Sequence, residues 1–389
     1  MTAKPNPDED ARGSSPPVEN PTLTFKSGGW VLLASFLLSL GLLGWALSGL
    51  IFSERPIGNG SDIESYQFEL QNLDVPIATL SASGNARDFL KTYDQPEVLP
   101  GQDMVIYNEQ QRRPWLVTAD RVVGVTIDGV SRAYPVRCLN AHEIIQDTLA
   151  GRSIVVTYSP FADAPVVFFN RPGEERIDFA VSGLLCNSGL VMFDRNAAVP
   201  SLWSPLYGRA ISGPLAGTPL EQLDRVELCT WKAWLEAHPE TTVALAEPNS
   251  LRRYKEFSYL RYFNDMSDSL EFPVSPLPVT SRRDAKVPRL KARVIAVTAG
   301  GVRRVWPLTL LNEALGAESG RITVNQGGVP VEFELTELPQ CALVRAPQDP
   351  DLIVQPRLWF AWFSTHPETA TRELVTELPE DARIEPDAG

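Results

Sequence analysis

From Trp30 to Phe52 the chain reads WVLLASFLLSLGLLGWALSGLIF, an apolar run without a single charge. At about 1.5 Å of rise per residue, one helix of this length crosses a ~30 Å hydrocarbon layer with some tilt. The pattern therefore predicts a transmembrane helix over residues 29–52, touching a lipid bilayer through residues 30–52. Its few polar members, Ser35, Ser39 and Ser48, are too sparse to give it the solvent face of a core helix. Beyond residue 52 the pattern changes to short alternating stretches broken by Asp-Gly, Gly-Gly and Ser-Gly, which predicts strands and turns. Residues 121–140, RVVGVTIDGVSRAYPVRCLN, and 293–312, RVIAVTAGGVRRVWPLTLLN, match at ten of twenty positions at an offset of 172. Each predicts a hairpin turning at Asp128-Gly129 or Gly300-Gly301. A short helix is expected next, LNAHEIIQDTLA ending at Gly151 in the first copy and LLNEALGAESG ending at Gly320 in the second. Strands SIVVTYS and PVVFF, or RITVNQ and PVEFEL, follow.

The copies also close alike, with Trp231-Lys-Ala-Trp234 before His238-Pro239 and Trp359-Phe-Ala-Trp362 before His366-Pro367. Tryptophans three apart share a helical face, so each closing helix should pack on a sheet and end at its His-Pro. His238 and His366 read as structural helix-end residues, because a cation suits the last carbonyls of a helix. The closing offset is 128, so the first copy holds 44 more residues (172 minus 128), including the Ser/Gly-rich stretch 176–214. The expected fold class is α+β and β-rich, made of pseudo-duplicated β-hairpin and short-helix modules preceded by one transmembrane helix. The expected layout is a disordered cytoplasmic tail over 1–28, the helix over 29–52, and a stalk with edge strands over 53–114. The first copy then fills 115–250 and holds the candidate site; a linker covers 251–292, the second copy 293–370, and a disordered tail 371–389.

Charge narrows the partners. The 389 residues carry 48 acids against 35 bases, a formal charge of −13, and no basic block marks a nucleic-acid surface. Lys4, Arg12 and Lys26 precede the apolar run and Arg55 follows it, which favours a cytoplasmic N-terminus. The expected location is the bacterial inner membrane, single-pass, with the C-terminal domain outside the cytoplasm. A cleaved export signal, processed near Ala46-Leu47-Ser48, is the competing reading and gives the same outer location. Four scattered cysteines form no CxxC pair, and three histidines limit any metal centre. Cys138 and Cys186, both in first-copy motifs, are open either to pairing or to remaining free.

GVTIDGVSRAYPVRCLNAHEIIQDTLAGRSIVVTYSP, FAVSGLLCNSGLVMFDR, SLWSPLYGRAISGP and TWKAWLEAHPET, in this order, resemble the bacterial domain-of-unknown-function family 3179. The resemblance covers about residues 115–370. It implies an extracytoplasmic or membrane-tethered β-rich domain and brings no activity with it. Where that family typically reads Cys-Pro-Leu-Cys-Gly-Thr, this chain has Ser159-Pro160-Phe161-Ala162-Asp163-Ala164. Without those thiols, thiolate chemistry or a soft-metal site is not expected there.

The ligand-binding candidates are Arg137, Asn140, His142, Glu143, Ser159, Asp163, Ser182, Asn187, Asp194 and Trp203. His142 with Glu143, and Asp147 one turn along the expected helix, form an imidazole–carboxylate set suited to acid–base work or a borderline metal. A hydrogen-bonded structural histidine is the commoner use of such a residue. Ser182 and Asn187 look like turn residues, and no GxSxG surrounds them. Arg137 suits an anion or an internal partner such as Asp194. Trp203 and Tyr207 suit a pocket floor or a core. No catalytic residue is assigned, no cofactor is predicted and no metal is expected. The leading functional reading is a non-catalytic or degenerate ligand-binding or scaffold module around Arg137, His142 and Ser159. The alternative is a metal-dependent or acid–base enzyme using His142, Glu143 and Asp163.

Overall fold

The computed structural model describes residues 29–52, 56–170, 175–247, 254, 259–265, 267–279, 287–316, 319–336 and 341–387. The tail over 1–28 and parts of the 251–292 linker lie outside the described residues. The chain divides into two units, residues 1–55 and 56–389. In the first, Gly29–Phe52 forms one α-helix whose described side chains, residues 29–45, are largely exposed leucines and aromatics. Among the described side chains no helix is long and apolar enough to cross a membrane, while the backbone of this helix runs on to Phe52.

The second unit is α+β and dominated by strands. The hairpin Arg121–Ile127/Val130–Pro135 forms where β-branched residues flank Asp128 (φ +49°) and Gly129 (φ +78°), the left-handed pair that a two-residue turn demands. Pro135 then leads into the helix Val136–His142. The hairpin Arg293–Ala299/Val302–Pro307 and the helix Leu308–Ala314 repeat these element lengths. The closing helices Trp231–Ala237 and Trp359–Thr365 follow strands Glu227–Thr230 and Ile353–Leu358, each antiparallel to the first strand of its hairpin. Trp234 lies so close over Gly124 that a Cβ there would come within 2.3 Å of the indole. That contact explains a glycine in the middle of a buried strand.

The expected helix LNAHEIIQDTLA is shorter than its sequence suggests. It stops at His142, and Ile144–Leu149 is a strand paired with Arg152–Ser159. Ile145, Asp147 and Leu149 alternate with Gln146 and Thr148, and Ala150 and Gly151 both take positive φ, so a hairpin outcompetes further helix. Glu143 and Asp147 therefore do not share a helical face. The stretch between the hairpin and the closing helix includes an antiparallel meander, Phe179–Cys186, Gly189–Asp194, Leu202–Ser204 and Arg209–Ser212. Short strands Leu80–Ala82, Tyr93–Asp94 and Val98–Pro100 each form the edge of a different sheet. The tail over 371–389, expected to be disordered, takes in all but the first residue of the helix Ala370–Glu373 and the strand Arg383–Pro386. That strand adds an edge to Gly320–Gln326; its single apolar residue, Ile384, and terminal proline conceal it from a search for alternation.

Two buried charge centres are set into this frame. Asp163 is 1 % exposed and accepts from Arg121 Nη2 at 2.6 Å, Arg293 Nε at 2.7 Å and Tyr158 Oη at 2.5 Å. Arg121 and Arg293 begin the two hairpins, 172 residues apart, so one carboxylate ties together the matching positions of both. The other centre is Arg357, 4 % exposed, whose guanidinium carbon lies 5.0 Å from the Trp362 ring centroid. A desolvated cation–π contact contributes about 2 kcal/mol, less than the several kcal/mol that dehydrating a guanidinium costs.

Candidate ligand site

The helix Val136–His142 presents Arg137 near its start and His142 at its end. Arg137 Nη2 donates to Asp120 Oδ2 at 2.6 Å, so its partner is this neighbour and not Asp194. Asn140 is partly exposed on the same helix. His142 is fully buried, its Nδ1 2.7 Å from the Lys91 carbonyl and its Nε2 2.9 Å from Tyr254 Oη. With a carbonyl on one side, Nδ1 must carry the proton, and Nε2 accepts from the phenol. Both ring nitrogens are thus taken up by internal partners.

Glu143 ends the helix at φ +56° and is 6 % exposed. Its carboxyl makes no hydrogen bond or ion pair among the described residues, and burial pushes it up to about 8. The nearby Tyr259 hydroxyl is raised by burial and then by the Glu143 charge. Ser159 accepts a hydrogen bond from Leu190 N at 3.0 Å through its Oγ, and Ala162 is buried. For Asp163, burial alone would raise the carboxyl, but Arg121 and Arg293, aided by Tyr158, hold it well below the usual carboxylate range.

The remaining candidates are structural in their contacts. Asp147 takes Arg132 Nη1 at 2.6 Å and Tyr134 Oη at 2.8 Å. Ser182 Oγ donates to the Val191 carbonyl at 2.6 Å across the meander's bulge. Asp194 accepts from Ser201 N at 2.6 Å and closes a turn. Asn187 holds Ser275 in both directions, donating to its carbonyl at 3.1 Å and accepting from its amide at 2.8 Å. Ser188 reaches the Phe272 carbonyl, and Phe161 meets the edges of Tyr259, Tyr262 and Phe272 at 4.9 to 5.3 Å. The described parts of the linker thus lie over the face that carries Phe161 and Asn187. Cys138 and Cys186 are free, buried thiols belonging to two different hydrophobic cores. Among the described residues no group of three or more His, Cys, Asp or Glu side chains is arranged to hold a metal.

Trp203 lines a cleft of about 240 Å³ with Phe168, Phe179, Asn170 and Glu221, and its indole N–H has no hydrogen-bond partner among the described residues. A second cleft, of about 280 Å³ and ringed by charged side chains, opens between strand Glu227–Thr230 and the end of strand Cys341–Arg345. Arg225, Glu227 and His238 line it from the first half, Arg345 and Pro347 from the second. Glu227 is 4 % exposed; its Oε1 pairs with Arg225 at 2.7 Å, while Oε2 is buried without a hydrogen-bond partner among the described residues. Burial raises its carboxyl despite Arg225. The His238 ring lies tilted by 35° against Trp234 with centroids 4.0 Å apart, and it shares a 3.2 Å hydrogen bond with Ser131 Oγ. Burial, then Arg225 and Arg345, push its imidazole down to about 4, so at neutral pH it is an uncharged donor and acceptor.

The sequence placed His238 at a helix end, where it is, and gave no sign of the cleft. Arg225 and Glu227 alternate with Val226 and Leu228 in a short stretch without a motif, and Arg345 lies more than a hundred residues away. The one usable signal was the conjunction of Trp-x-x-Trp with a histidine in both halves. No curated protein and no solved structure matches the chain. A family model does match, over residues 96–351, well over half of the sequence and enclosing both clefts. The chain therefore belongs to the family described as Protein of unknown function (DUF3179).

Proposed function

We propose that this chain is a non-catalytic ligand-binding or scaffold module, tethered to the bacterial cytoplasmic membrane by residues 29–52 with its N-terminus inside. The observation that carries the non-catalytic reading is that, Glu143 apart, the side chains suited to chemistry around the first helix already have internal partners: both nitrogens of His142, both oxygens of Asp163, and Asp147. The alternative, an acid–base or metal-dependent enzyme on His142, Glu143 and Asp163, would need two of those three to give up buried partners. The tether rests on the uncharged run Trp30–Phe52 and on the exposed leucines along its helix. Duplication of an ancestral hairpin–helix unit accounts for the ten shared positions and the equal element lengths. Retention of Arg at 121 and 293 follows from their shared carboxylate.

The ligand of this reading occupies the cleft between Arg225, Glu227, His238 and Arg345. Two guanidiniums, a neutral imidazole and a carboxylate with one unpaired oxygen suit a small compound bearing both a carboxylate and an N–H donor. Nucleic acid does not fit a chain of charge −13. Thermal unfolding of the full chain in detergent, with each free L-amino acid in turn at constant ionic strength, tests this. Ligand at a hundredfold its Kd stabilises by about 2.7 kcal/mol, a shift of a few degrees. The expected result is such a shift for at least one amino acid in the wild type and none in Arg345→Met. A wild type that responds to none of them contradicts the assignment.

A further inference from the structure

In the second half, a set of hydrogen-bond donors converges on Trp362 with too few acceptors to satisfy it. Arg357 is 4 % exposed, and its Nε and Nη1 are buried without a hydrogen-bond partner among the described residues. No carboxylate among the described residues pairs with it; burial, then the like charge of Arg303, push its guanidinium down to about 10. Arg303 lies over the same ring, 5.4 Å from its centroid against 5.0 Å for Arg357, and its Nε is likewise buried and unpartnered. The indole N–H groups of Trp359 and Trp362 are also buried without acceptors. His366 stacks on Trp362 at 4.0 Å and 8°, and burial with the two arginines pushes it down to about 4, so it adds no charge.

The one acid within the set is Glu373. Its Oε1 accepts from Arg303 Nη2 at 2.7 Å, and its Oε2 is buried and unpartnered. Two guanidiniums against one carboxylate leave one positive charge in excess, and it falls on the more deeply buried member. An indole face offsets part of a guanidinium's lost hydration and supplies no acceptor for its N–H groups. The matching first-half residue to Arg303, at the offset of 172, is Ser131, so the arrangement does not come from the shared hairpin pattern.

We infer that the Arg303–Arg357–Trp362 cluster is a binding site for a small oxyanion, a carboxylate or phosphate that completes the coordination of Arg357. Arg303, whose side chain is 35 % exposed, forms the solvent side through which the anion enters. The site is separate from the cleft of Arg225 and Arg345 and stands whether or not that cleft binds a ligand.

The test is thermal unfolding of the full chain in detergent against sodium phosphate, sodium acetate and sodium chloride at matched ionic strength and pH 7. In the wild type the midpoint is expected to rise with phosphate or acetate and not with chloride. Arg357→Met should abolish the response while leaving the anion-free midpoint equal or higher, because an unpaired buried charge has been removed. Arg303→Met, at the solvent side, should weaken the apparent affinity roughly tenfold by removing one charge-assisted donor. It serves as the readout if Arg357→Met does not fold. Equal midpoints in all three salts would show that water alone satisfies Arg357 and overturn the site. An anion response unchanged in the Arg303 and Arg357 variants would place the binding elsewhere and overturn it equally.

Discussion

Asp163→Asn is expected to destabilise the protein by about 3–5 kcal/mol, because it leaves the largely buried Arg121 and the partly exposed Arg293 both facing a buried neutral amide. Domains hold only about 5–15 kcal/mol of total stability, so the variant should lie near the unfolding threshold. The effect reaches both hairpins, since Arg121 begins one and Arg293 the other. Urea unfolding of the two proteins measures it. Arg293→Met should cost less, because that side chain is 29 % exposed and water replaces part of what the carboxylate supplied. The pH dependence has a definite sign. The Asp163 carboxyl is depressed in the folded state, so its contribution is complete above the ordinary carboxylate pKa and is lost as pH falls towards the folded value. The acid limb of the wild-type stability curve should therefore be steeper than that of Asp163→Asn.

Glu143→Gln is expected to have the opposite effect and to stabilise the protein at alkaline pH. Glu143 is 6 % exposed and has no hydrogen-bond or ion-pair partner among the described residues, and its carboxyl rises from 4.5 to about 8. A raised carboxyl favours the fold fully below the unfolded pKa, and that advantage disappears as pH climbs to the folded value. Between pH 4.5 and 8 the wild type should lose on the order of 4 kcal/mol through this group, since one proton's difference between the folded and unfolded chains is worth about 1.4 kcal/mol for every step of one in pH. The glutamine variant should match the wild type at pH 4 and exceed it at pH 8. Parallel melts across that range check this, and identical slopes would mean that Glu143 ionises with a partner beside it.

Much of the frame is legible from local chemistry. Asp128-Gly129 and Gly300-Gly301 demand left-handed turns, and β-branched alternation on either side leaves little choice but hairpins. Trp-x-x-Trp before His-Pro specifies a short helix with an abrupt end, buried on one face in Trp231–Ala237 and nearly all round in Trp359–Thr365. Legibility fails where a competing partner decides. Ile144–Leu149 follows a helix closely enough to pass for its continuation, yet its preference is settled by pairing with Arg152–Ser159. Arg383–Pro386 lacks a pattern of its own and is a strand because Gly320–Gln326 offers a free edge.

The polar residues show the same limit more sharply. His142, Asp147, Asp194 and Asn187 were visible as chemically capable side chains, but their partners are a carbonyl 51 residues away, an arginine, a turn amide and the linker backbone. Sequence spacing carries no information about such pairings. The Asp163 clamp had one clue, since Arg121 and Arg293 are among the ten positions common to both blocks. The cleft had almost none, because a cavity arises from where two strands diverge and not from any residue's identity. Arg357 was equally hidden: nothing about an arginine between Pro356 and Leu358 in a strand signals its burial beside the Trp362 ring of the next helix.

Elemental analysis of the full chain, purified in detergent without metal-affinity steps, bears most directly on whether this is a binding module or an enzyme. With His142 held between a carbonyl and a phenol, and Asp163 between two guanidiniums, the predicted result is no stoichiometric transition metal in the wild type. One equivalent of bound metal that disappears in His142→Gln would contradict the account, and would restore the imidazole and its neighbouring carboxylates as a reactive centre.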